Sequence, residues 1–178
     1  MKKIVASLVL IALVLTSCAD DKKKQDVAEE ETTTEIEKNP QQLDQIIFND
    51  DGMRKIFASY IDVKSALVET DAEKAKAAAS NLMTDFANVG VEPAAMKAAQ
   101  SIKEAEDVEV QRTAFMILTN EVEKMMMDAL DGGVIYKQYC PMAFDNKGAY
   151  WLSESEEIRN PYFGDKMLKC GKVTSQIH

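Results

Sequence analysis

Four sulfur atoms stand in two short runs near the end of this 178-residue chain: Cys140 and Met142 in YCPMA, Met167 and Cys170 in MLKCG. Copper(I) and silver(I) favour thiolate and thioether ligands at low coordination number, which makes these four side chains a candidate soft-metal set. If Cys140 begins or ends a strand, Met142 lies two residues on and faces the same side. A turn would bring Met167 and Cys170 together, and Trp151 could lie over a bound monovalent cation. The same residues admit a second chemistry. A Cys140–Cys170 disulfide would close a loop of about 30 residues, worth about 3 kcal/mol in the chain-entropy account, with both methionines simply packing. The two alternatives stand open, and a reducible bridge that exposes ligands would join them.

Other chemistries have less to work with. There is no G-x-S-x-G, H-E-x-x-H, P-loop or dinucleotide fingerprint. The one histidine is His178 at the end, and a Cys-x-x-Cys pair is absent. The expectation is a protein that is not an enzyme. Glu154, Glu156 and Glu157 in SESEE read as a solvated turn rather than a hard-cation site. Met125, Met126 and Met127 are consecutive, and successive helix positions point about 100° apart, so the three cannot converge on one ion. They read as core filling with one methionine on the surface.

The elements that must position the sulfurs begin after a targeting segment. Lys2 and Lys3 precede the apolar run IVASLVLIALVL, which ends in Leu15-Thr16-Ser17-Cys18. That pattern looks like a bacterial lipobox, so residues 1–18 read as a lipoprotein signal peptide with Cys18 lipidated. The acyl chains would hold the protein on a membrane without a spanning helix. With Cys18 carrying lipid, Cys140 and Cys170 are an even pair in a compartment where disulfides persist. The formal charge of −9 argues against nucleic acid and anionic lipid surfaces as partners. Residues 19–42 are acidic and polar and read as a flexible tether.

Residues 43–178 read as one domain. Four helical stripes follow one another: Ile56, Tyr60, Val63, Leu67; then Ala75, Ala78, Leu82, Phe86, Val89; then Met96, Ala99, Ile102; then Phe115, Leu118, Val122, Met125, Ala129. Thr70 and Glu73 suggest a capping box, and Asp131-Gly132-Gly133 a stop. The expected fold is mainly α, an antiparallel four-helix bundle with a small C-terminal β-hairpin or irregular cap over 133–178. In that cap, 134–139 and 149–152 are β-prone, and a polar tail follows Cys170.

The motifs Cys-Pro-Met-Ala, Gly-Ala-Tyr-Trp-Leu-Ser, Glu-Ile-Arg-Asn-Pro-Tyr-Phe-Gly and Met-Leu-Lys-Cys-Gly, with the helical run from about Ile56, closely resemble domain of unknown function 3347, a bacterial family, over roughly residues 45–175. The resemblance implies an exported protein; together with the lipobox, the expected location is the bacterial cell envelope, lipid-anchored and most simply on the outer membrane facing the periplasm. It also implies company with copper and silver efflux adaptors. The function expected is therefore binding or relay of copper(I) or silver(I) through Cys140, Met142, Met167 and Cys170, accessory to efflux. The alternative is a disulfide-stapled interaction lipoprotein that docks a partner protein through Tyr150, Trp151, Tyr162 and Phe163.

Overall fold

The computed structural model describes residues 40–178; the signal peptide, Cys18 and nearly all of the tether lie outside the described residues. A short helix α1 (Pro40–Leu43) and strand β1 (Ile47–Phe48) lead into four longer helices. These are α2 (Asp51–Val68), α3 (Ala72–Val89), α4 (Pro93–Glu104) and α5 (Val108–Met126). Strands β2 (Leu130–Gly132), β3 (Ile135–Cys140), β4 (Ala149–Ser153) and β5 (Lys172–Ile177) complete the chain. The protein is mainly helical with a small antiparallel sheet region at its C-terminal end. Among the described residues, no helix is long and apolar enough to cross a membrane.

Local chemistry sets the helix ends. Asp50, Asp71 and Asp107 sit at N-caps in extended conformation, and each accepts a backbone N–H with its carboxylate. Pro93 opens α4, where its missing N–H costs nothing. The expected Thr70–Glu73 capping box is corrected to Asp71. Thr70 lies in the left-handed region at φ 59, and its hydroxyl is 3.1 Å from Arg112 Nη2. A neighbour in the sequence and a cation in the fold shared out the capping task.

α2 is the central element. Ile56, Phe57, Tyr60, Ile61, Val63 and Leu67 are all buried, so it packs on more than the single stripe the spacing suggested. It packs against α3 and α5, and α4 packs on both α3 and α5. Gln111 closes the helix ends, its buried amide donating to Ala72 O, Ile102 O and Ala105 O. At the end of α5, Met126 is buried, Met125 partly buried and Met127 exposed. The helix stops at Met126, short of the expected Asp131-Gly132-Gly133. Asp131 and Gly132 instead lie in β2, which pairs with β1.

The cap is a three-stranded sheet in the order β4-β3-β5. The expected polar tail is corrected: Lys172–Ile177 forms edge strand β5, antiparallel to β3. Its burial is weak, with only Ile177 fully covered, because an edge strand needs backbone pairing more than an apolar face. Two polar side chains one turn apart on α2 fasten the sheet to the helices. Tyr60 accepts from Leu152 N–H at 3.0 Å and meets Thr119 Oγ1 at 2.9 Å. Lys64, buried, reaches Glu154 Oε2 at 2.7 Å and Ser153 Oγ at 3.1 Å.

Candidate functional site: the thiol pair and the thioether cleft

Strand register brings the cysteines together. β3 and β5 pair with Tyr139 opposite Lys172; one step further along β3 and back along the other strand sets Cys140 against the Cys170–Gly171 turn. The two Sγ atoms are 3.0 Å apart. Cys140 is buried at the end of β3, while Cys170 is half-buried, and both are free thiols. The Cys140 thiol, hydrogen-bonded to Cys170, pushes the Cys170 thiol up to about 11, with burial adding to the effect.

The loop carrying Cys170 is held by residues that sequence spacing did not single out. Asn160 is fully buried. Its Nδ2 donates to Cys170 O at 2.7 Å, its Oδ1 accepts from Tyr162 N–H at 2.8 Å, and its own N–H donates to Leu168 O. Arg112, on α5, is also buried. Its Nε donates to Pro161 O at 2.9 Å and its Nη2 to Leu67 O at 3.1 Å; the second is a carbonyl of the last turn of α2, where a cation is favoured. Nη1 pairs with Glu109 at 2.5 Å. A buried arginine thus bolts the Asn160–Gly164 turn onto the helical core. The signal available in the sequence was the charge itself, on the buried side of an otherwise apolar stripe.

Trp151 packs against Gly171, the residue after Cys170. It is buried, and its Cη2 is 2.8 Å from where a Cβ would stand on Gly171, whose φ of +150 also suits glycine. Its cross-strand partner is Gln138. Trp151 Nε1 and Gln138 Oε1 are both buried without a hydrogen-bond partner among the described residues, so the face of the sheet that carries Cys140 is unusually under-satisfied.

The thioethers lie elsewhere. Met142, 45% exposed, and Met167 line one cleft of about 490 Å³, and neither cysteine is among its walls. The two thiols are thus in contact with each other, while both methionines line a cleft that neither cysteine lines. Of the proposed docking aromatics, Trp151 and Tyr162 are buried, Phe163 is half-buried and Tyr150 is 40% exposed. The Tyr150 ring is itself covered by Lys137 Nζ at 4.5 Å and by Tyr139. Among the described residues, no group of three or more His, Cys, Asp or Glu is placed to hold a metal ion.

The donor set fits a soft ion in type. Two thiolates on a linear ion stand about 4.6 Å apart, twice a metal–thiolate bond of ~2.3 Å, whereas a disulfide needs about 2.05 Å. The observed 3.0 Å is that of two free thiols in contact.

Comparison with known proteins adds a family. Residues 56–131 match the family model described as "Protein of unknown function (DUF3347)", which bears out the resemblance. The match runs from within α2 through α5 into β2 and ends before β3, so it rests on the helices and not on the Cys/Met motifs of the cap. No curated protein and no solved structure matches.

Proposed function

We propose that this chain, with its DUF3347 segment, is a lipid-anchored protein of the bacterial envelope that binds or relays copper(I) or silver(I) through Cys140 and Cys170. The contact between two thiols 30 residues apart carries the reading. An ion reaches the pair from the side of half-exposed Cys170, Cys140 being buried. The helices, arranged as an antiparallel four-helix bundle, form the platform. The acidic chain attracts cations, and Met142 and Met167, two and three residues from the thiols, serve as outlying soft ligands for entry or exit. The molecule acts by holding its cargo on the outer membrane for an efflux adaptor, and not by catalysis.

The same 3.0 Å contact favours a second reading, in which the pair closes as a disulfide and the protein is a stapled interaction module. Equilibrium dialysis of the reduced full chain against chelator-buffered copper(I) separates the two. Cys140→Ser and Cys170→Ser each abolish binding if the thiols hold the ion, while Met142→Leu and Met167→Leu weaken it only modestly. Unchanged binding in both cysteine variants would refute the proposal.

A further inference from the structure

The cleft that holds Met142 and Met167 has a lining that two thioethers do not explain. Its volume of about 490 Å³ is that of a site for an organic molecule, within the usual range of about 300–1,000 Å³, and far more than a bare ion fills. Three aromatic residues, Phe144, Tyr162 and Phe163, join the methionines on its walls. The Phe144 and Tyr162 rings stand 5.4 Å apart at 66° and so form a corner. Tyr162 is buried with its hydroxyl donating to Tyr150 O, so the half-buried Phe144 and Phe163 carry the aromatic surface that the cleft offers. The charged groups in the lining are Glu109 and Asp145, both anionic, and no lysine or arginine lines the cleft.

Backbone strain is concentrated on the same wall. Phe144, Asp145 and Asn146 are three consecutive non-glycine residues with φ of 52, 56 and 65, a left-handed turn costing about 1–2 kcal/mol per residue. The turn sets Phe144 against Tyr162 and lifts the exposed Asp145 to the rim.

We propose that this cleft binds a small methylated ammonium compound. A cation of that class is attracted by aromatic faces, is solvated by adaptable thioethers, and finds the exposed carboxylate of Asp145 at the rim, Glu109 being paired with Arg112. The cleft does not include the thiol pair, although its two methionines are the ones assigned above to ion entry or exit.

The test is a titration of the reduced full chain with choline, followed by the methionine methyl resonances, beside its uncharged isostere 3,3-dimethylbutan-1-ol. Choline is expected to shift the Met142 and Met167 methyls saturably, and the isostere to bind roughly tenfold more weakly. Asp145→Asn retains a side chain that tolerates the left-handed region and should weaken choline about fivefold. Phe144→Leu removes one ring and should weaken it further. Cys140→Ser should leave choline binding unchanged, which distinguishes this site from the metal site. No saturable shift, equal binding of the isostere, or methyls that respond to silver(I) alone would each overturn the proposal.

Discussion

Replacing Arg112 by methionine keeps the length and apolar stem of the side chain and removes every donor. Pro161 O, Leu67 O and Thr70 Oγ1 then lose that donor. The Thr70 hydroxyl can turn elsewhere and Leu67 O still accepts from Thr70 N–H, but Pro161 O is buried at its contact, and an orphaned buried acceptor costs about 1–3 kcal/mol. The Glu109 pair adds less than about 1 kcal/mol, because that carboxylate is 64% exposed. With about 1 kcal/mol for the bond lost at Leu67 O, the expected loss is about 2–4 kcal/mol. For a chain of this size, that lowers Tm by roughly 4–16 °C. Thermal unfolding followed by far-ultraviolet circular dichroism reads the loss, and the near-ultraviolet signal of Trp151 reports whether the cap loosens first. Arg112→Lys should rescue little, since one ammonium cannot reach three separated acceptors, and Glu109→Gln should cost under about 1 kcal/mol. A loss below about 1 kcal/mol in Arg112→Met, or full rescue by lysine, would refute the claim that this arginine joins the cap to the helices.

Other expectations follow from the same contacts. Burial alone would raise the Glu154 carboxyl, but Lys64 and the hydrogen bonds around it outweigh that and hold it below its ordinary 4.5. Its contribution is therefore present above about pH 4.5 and is lost as pH falls through the folded value; Glu154→Gln should flatten this part of the acid unfolding curve. Cys170 is raised from 9.0 to about 11, so the reduced protein favours the protonated thiol. That stability is present below pH 9 and is lost between pH 9 and 11, and thiolate absorbance near 240 nm should show the late titration, absent from the oxidised protein. Asn160→Ala frees the carbonyl of Cys170 and orphans backbone groups around it. It should lower the equilibrium constant for closing the disulfide against glutathione by about tenfold, corresponding to about 1.4 kcal/mol of lost pre-organisation, within the range of a charge-free buried hydrogen bond; an unchanged constant would show that Asn160 does not position the thiol.

The helical half was legible because α2 to α5 carry apolar stripes at the helix period between aspartates, a proline and a glycine that mark ends. What period cannot show is how many sides of a helix are covered, and Phe57 and Ile61 were hidden behind the obvious stripe of α2. The pairing of Cys140 with Cys170 was legible from cysteine count, since one pair remained once Cys18 was assigned to lipid. The placing of Met142 and Met167 on a cleft that neither cysteine lines was not, because it depends on how the two loops pack in the fold and not on residue spacing. β5 was missed for a related reason: Lys-Val-Thr-Ser-Gln-Ile has little apolar alternation, and it is a strand because β3 offers it an edge. Asn160 and Arg112 act through buried hydrogen bonds to backbone carbonyls, and such partners become visible only when the chain is folded.

The central claim is that Cys140 and Cys170 together hold a soft monovalent ion. X-ray absorption at the copper edge, on the reduced full chain loaded with one equivalent of copper(I), tests it most directly. A first shell of sulfur alone, lost in the Cys140→Ser and Cys170→Ser variants, is the predicted result. A shell of oxygen or nitrogen, or a sulfur shell that survives both substitutions, would contradict it.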